Sequence, residues 1–140
     1  MVDLTKFTST KKADFEQLAR DRKKDFDALQ RQKRWTASVY IGPYIVEAWL
    51  KSKICERLNF ETLPAVFKTH DLIVLAMYAG LMKSIKATPG VFENLAVINT
   101  FHRDSTWRYK VADQSHQTDS NKMRDWLFHS QHGVMTWLER

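Results

Sequence analysis

Residues 34–58 read RWTASVYIGPYIVEAWLKSKICERL. From Trp35 to Leu50 the only charge is Glu47, and Lys51 follows one helical turn later. A helix that is apolar almost all round has no face to give to water, so it must be covered on most sides. That places residues 34–58 at the centre of a bundle, with coverage expected from neighbouring helices and from a second subunit. It also isolates Glu47, because burying an unpaired carboxylate is expensive.

The flanking segments supply the cover. Phe15, Leu18, Ala19, Arg22, Phe26 and Leu29 recur at spacings of three and four, which predicts a first helix over residues 10–31 with Thr8–Thr10 as its cap cluster. Gly42-Pro43 lies inside the central helix, and a kink is expected there because proline lacks a backbone donor. A loop over 59–68 holds Pro64. Thr69 is then a cap, Asp71 complements the dipole of a third helix, and Leu72, Leu75, Ala76 and Ala79 form its inner stripe. Thr88-Pro89 opens a fourth helix through Phe92, Leu95 and Phe101. Residues 102–119 read as polar and irregular, and Asp119 or Ser120 starts the last helix, with Met123, Leu127, Val134, Trp137 and Leu138 turned inward. The expectation is an all-α, antiparallel up-and-down bundle of about five helices, one domain over residues 1–140.

Composition agrees. Gly 4 and Pro 3 in 140 residues are low, and a single cysteine, Cys55, excludes an intrachain disulfide and suits a reducing compartment. Met1–Thr10 lacks the apolar stretch of a secretory leader, and Val39–Leu50 is too short to cross a bilayer. A cytoplasmic chain with no membrane role is expected. The formal charge of +6 is concentrated at Arg20, Arg22, Lys23, Lys24, Arg31, Lys33 and Arg34, diluted by Asp21, Asp25 and Asp27. Such a surface raises the prior for nucleic acid or nucleotide phosphate as a partner, but charge alone does not decide, and a solvated helix face is the plainer and favoured reading.

Glu47 and Lys51 are correctly oriented for an i, i+4 ion pair, and Tyr44, Ala48 and Cys55 share their face. Further partners of suitable chemistry are His70, Asp71, Arg108 and Tyr109. Arg108 is the first choice to hold Glu47, since a guanidinium binds a carboxylate with two parallel hydrogen bonds. Among the tryptophans, only Trp35, beside Lys33-Arg34, suits a base-stacking platform. His129 and His132 have i, i+3 spacing but no third ligand, so no metal centre and no cofactor are expected. Cys55 reads as a small buried hydrophobe. There is no Gly-rich phosphate loop and no recognisable Ser-His-Asp arrangement.

Three motifs in order carry a family resemblance: R-W…Y-I-G-P-Y-I-V-E-A-W-L-K-S-K-I-C, then F-K-T-H-D-L, then W-R-Y. Together they resemble the HEPN domain (higher eukaryotes and prokaryotes nucleotide-binding) over about residues 12–139. The resemblance implies an antiparallel helical bundle, commonly homodimeric, acting as a nucleotide- or nucleic-acid-binding module. Its partner would be a separately encoded nucleotidyltransferase or an antitoxin in a toxin–antitoxin or defence pair. Ligand-binding residues under this reading are Glu47, Lys51, Lys68, His70, Arg108 and Tyr109. A nuclease branch of the family uses Arg, four to six residues, then His. Arg124-Asp-Trp-Leu-Phe-His129 matches in letters, which makes a metal-independent endoribonuclease the alternative. Asp125 departs from the polar residue usual after that arginine, and an acid there opposes an incoming phosphate. Gly42-Pro43 also departs from the small helix-forming residues expected at its position. A purely structural dimerisation module is the third reading.

Overall fold

The structure, a computed structural model, describes residues 11–140. The expected Thr8–Thr10 cap and the polar Met1–Thr10 segment lie outside the described residues. The described chain is all-helical, with seven α-helices: α1 (Lys12–Arg31), α2 (Trp35–Leu58), α3 (Leu72–Tyr78), α4 (Met82–Ala87), α5 (Val91–Arg103), α6 (Gln117–Phe128) and α7 (Val134–Leu138). Short 3-10 turns occupy Ala65–Phe67, Ser105–Tyr109 and Gln114–His116. No helix among the described residues is long and apolar enough to cross a membrane.

α2 is the axis. It packs against α1, α3, α5 and α6 and against the two later 3-10 turns. Most of its residues are buried, including Glu47 and Lys51. The chain's own elements therefore provide much of its cover. One hydrophobic cluster draws on all seven helices, with Phe26, Ile45, Leu50, Ile54, Leu72, Leu95, Met123 and Leu127 fully enclosed. Each such side chain contributes about 1.5–3 kcal/mol relative to exposure. Cys55 is buried and free, as expected, and burial pushes its thiol pKa up.

α2 runs unbroken through Gly42-Pro43. Gly42 has a packing reason. A Cβ there would lie 2.8 Å from Met123 Cγ and 3.1 Å from Leu127 Cδ1, so its lack of a side chain lets α6 approach. Gln30 Nε2 donates to Ser120 Oγ, and the Ser38 and Ser120 hydroxyls meet, which ties α1, α2 and α6 together with polar contacts.

Seven helices stand where about five were expected, because local breaks divide two of the segments. Gly80, at φ +74°, separates α3 from α4 in a left-handed turn that a side chain would strain. α3 is capped by Asp71 rather than Thr69: Asp71 Oδ1 accepts from the Ile73 and Val74 amides, while Thr69 Oγ1 accepts from Asp71 N. Thr88 closes α4, and the left-handed Gly90 precedes α5, so the expected Thr88-Pro89 start falls two residues early. α5 runs on through His102 and Arg103, which the sequence reading assigned to a loop. The last segment breaks between α6 and α7, where His129 Nδ1 accepts from the Gln131 and His132 amides. Gly133 fits that tight turn because a Cβ would strike the His129 backbone.

Candidate functional site

Tyr40, Tyr44, Glu47 and Lys51 fall at intervals of four, three and four residues, so they share one face of α2. This face turns toward α5 and the segments on either side of it. Glu47 is enclosed there, with its side chain 10% exposed.

Three groups satisfy it. His102 Nε2 lies 2.9 Å from Glu47 Oε1, His70 Nδ1 lies 2.6 Å from the same oxygen, and Lys51 Nζ lies 3.4 Å from Oε2. Burial alone would raise the Glu47 pKa. The hydrogen bond from His102, the Lys51 charge and the hydrogen bond from His70 overcome it, so the pKa falls from 4.5 to about 2. Glu47 is therefore a carboxylate, held by the cations and donors around it.

The two histidines differ in access. The His102 side chain is 2% exposed, whereas that of His70 is 60% exposed. Their positions are set by a shared anchor. Asp71, the cap of α3, follows His70 in sequence and accepts from Asn99 Nδ2, while Asn99 Oδ1 accepts from the Leu72 amide. Asp71 Oδ2 also lies 3.4 Å from Arg103 Nη1. Asn99 and Arg103 are three residues before and one after His102 on α5. The contacts that cap α3 thus also fix how His70 and His102 face each other.

Tyr44 stacks edge-on to His102, with ring centroids 4.6 Å apart, and links the cluster to Arg108. Arg108 Nη2 donates to the Tyr44 hydroxyl at 2.8 Å, and its guanidinium lies over the Tyr40 ring. Burial, reinforced by Tyr40, pushes the Tyr44 phenol up to about 12, against the pull of Arg108. The hydroxyl keeps its proton.

Beyond Tyr40 the same strip enters a cavity of about 240 Å³ between the start of α2 and residues 107–114. Lys33, Arg34, Arg108 and Lys110 line it, with Asp113 as the only acid among its described lining residues. Its wall is anchored. The Asp113 amide donates to Thr36 Oγ1, which lies 2.8 Å from His116 Nδ1, and the Trp107 ring packs at a tilt against His116. Lys110 Nζ sits 4.5 Å above the Trp107 ring.

Of the six ligand-binding residues expected from the sequence, Glu47, Lys51 and His70 come together directly. Arg108 joins them only through Tyr44. It is not the partner of Glu47 that the sequence reading expected; its guanidinium is taken by Tyr44, and His102 stands where it was placed. Lys68 and Tyr109 are exposed, Tyr109 at 83%, and neither is a partner of Glu47. Trp35 does not offer a stacking platform, because it is buried and its Nε1 donates to Gln114 Oε1. The sequence reading placed Tyr44 on the Glu47 face without assigning it a role, and it left His102 in an irregular segment. For Tyr44 the signal was present in its spacing to Glu47. For His102 it would have required extending the predicted helix one residue beyond Phe101.

Arg124 and His129 each have structural partners. Arg124 Nη1 donates to Asp27 Oδ1 and Gln30 Oε1, tying α6 to α1, and His129 caps the turn before α7. His129 and His132 stack face to face at 4.0 Å.

Comparison with protein-family models, with curated proteins and with solved structures found no match to this chain.

Proposed function

We propose that this chain is a nucleotide- or nucleic-acid-binding module with a HEPN-like antiparallel bundle, and that its phosphate subsite is the basic cavity at the start of α2. The observation that carries the reading is the lining itself: four cations, Lys33, Arg34, Arg108 and Lys110, meet around Tyr40 and Trp107. Phosphate recognition needs convergent positive charge, and adjacent aromatic rings give bases or sugars a surface to pack on. At about 240 Å³ the cavity suits a phosphate and its sugar, with the base outside. The neutral Tyr44 hydroxyl borders it through Arg108.

The resemblance in the three sequence motifs adds a context, a separately encoded nucleotidyltransferase or antitoxin as protein partner. A homodimer, implied by the same resemblance, belongs to the proposal, and a monomer mass by light scattering removes it.

The direct test is titration of the chain with AMP, ATP and a short labelled RNA in chelator at several salt concentrations. Saturable binding that weakens with salt is expected, since each neutralised phosphate releases counterions. Arg34→Glu and Lys110→Glu should each weaken it about tenfold or more while the melting temperature is held. No binding of any of the three at low salt overturns the reading.

A further inference from the structure

The cluster at Glu47 has a composition that an ordinary ion pair does not need. Two imidazoles and one carboxylate converge, and their ligand atoms, Glu47 Oε1, His70 Nδ1 and His102 Nε2, all lie within 4.8 Å of one another. We propose that these residues form a binding site for a divalent transition metal of the Zn²⁺ class, distinct from the phosphate subsite.

The donor set fits. Two imidazoles and a carboxylate are a recurrent three-ligand set for zinc and for non-haem iron, with further positions left to water or substrate. Two nitrogens among three donors disfavour Mg²⁺ and Ca²⁺, which take oxygen ligands. The ligands come from three separate places, α2, the residue before the α3 cap, and α5. Asp71 and Asn99 bind the start of α3 to α5, so the two histidine-bearing segments are held near each other before an ion arrives.

The carboxylate is divided between two roles. Lys51 takes Oε2, which leaves Oε1 as a single-oxygen ligand and neutralises the other half of the group. An outer hydrogen bond of that kind is a common support for a metal-bound carboxylate. Both imidazoles already point a nitrogen at Oε1, and each can carry its proton on the other ring nitrogen when the metal takes its place.

Access and movement also fit. Tetrahedral zinc bonds of about 2.0–2.1 Å put ligand atoms about 3.3 Å apart, so the three atoms must adjust by small rotations. The exposed His70 ring is free to make that adjustment, and the same exposure leaves the open positions facing solvent.

The experiment uses the untagged full chain, stripped with chelator and titrated with Zn²⁺ by calorimetry and with Co²⁺ by visible absorption. One ion per chain is expected, with Co²⁺ bands of nitrogen–oxygen coordination and a rise in melting temperature. His70→Ala removes an exposed ring, and Glu47→Gln keeps the side-chain shape. Both should weaken binding by about a hundredfold or more, beyond the 10–100-fold typical of losing an outer support. His132→Ala controls for the stacked His129–His132 pair and should leave binding unchanged. Absence of saturable binding overturns the proposal. So does binding that survives His70→Ala in a folded protein, or that is lost in His132→Ala.

Discussion

His102 Nε2 lies 2.9 Å from Oε1 of Glu47, and this contact joins α5 to α2 inside the protein. Both side chains are almost wholly enclosed, at 2% and 10% exposure. Removing a partner of a buried carboxylate typically costs up to about 3–5 kcal/mol, because the charge is left uncompensated. In metal-free protein we expect Glu47→Gln to lose about 3 kcal/mol and His102→Ala about 2 kcal/mol in denaturant unfolding. The double variant should lose at least about 1 kcal/mol less than their sum. Arg108→Met, by contrast, should cost under about 1 kcal/mol, since that side chain is exposed and its hydrogen bond goes to the Tyr44 hydroxyl.

The cap of α3 should matter more than caps usually do. Asp71 Oδ1 serves the Ile73 and Val74 amides and Asn99 together. Loss of an ordinary N-cap costs about 0.5–2 kcal/mol. Asp71→Ala should reach or exceed the upper end, because Asn99 Nδ2 loses its partner too. Asp71→Asn, which keeps the accepting oxygen, should recover about half or more of the loss in thermal unfolding.

Acid should expose the contribution of Glu47. Its pKa is lowered from 4.5 to about 2, so the folded state holds the ionised form more strongly than the unfolded chain does. That contribution is complete above about 4.5 and is lost as pH falls through about 2. The shift corresponds to on the order of 3 kcal/mol. Lys51, His70, His102 and Tyr44 face the group and should be kept intact in the comparison. The stability difference between wild type and Glu47→Gln, in chelator, should therefore shrink as pH is lowered from 5 toward 2. A constant difference across that range contradicts the assignment.

Gly42 should resist enlargement. A Cβ would lie 2.8 Å from Met123 Cγ, 3.1 Å from Leu127 Cδ1 and 3.3 Å from the Phe26 ring. Alanine gains about 1 kcal/mol of helix propensity over glycine, which offsets part of the crowding. Overpacking a filled core costs about 1–3 kcal/mol. Gly42→Val, with more bulk and no such gain, should be destabilised by at least about 2 kcal/mol, and more than Gly42→Ala.

Two opposite local signals show how far sequence reading reached. The apolar circumference of residues 35–58 placed α2 at the centre, and the structure buries it there. Hydrophobicity tells that a face must be covered but not by which surface, and within one chain α1, α3, α5 and α6 supply much of that cover. At the other end, Thr69 and Thr88 looked like caps. Asp71 and Gly90 hold those places instead, since capping depends on backbone angles that neighbouring turns impose.

The site divides the same way. That Glu47 had to be paired followed from its apolar surroundings, and Lys51 was visible as its neighbour one helical turn along. Both depend on separations of a few residues, which helix geometry fixes without knowledge of the fold. The identity of the other partners did not follow. His70 and His102 are 23 and 55 residues from Glu47, and many cations and imidazoles in the chain satisfy the same electrostatic demand. Their choice rests on how α3 and α5 pack against α2, locked by Asp71 and Asn99. The sequence by itself determined an all-helical chain, a buried central helix and a carboxylate in need of partners, because these depend on local periodicity and desolvation. Only the tertiary structure decided that two histidines meet that need while Arg108 turns to Tyr44, because side chains far apart in sequence are brought together by packing alone.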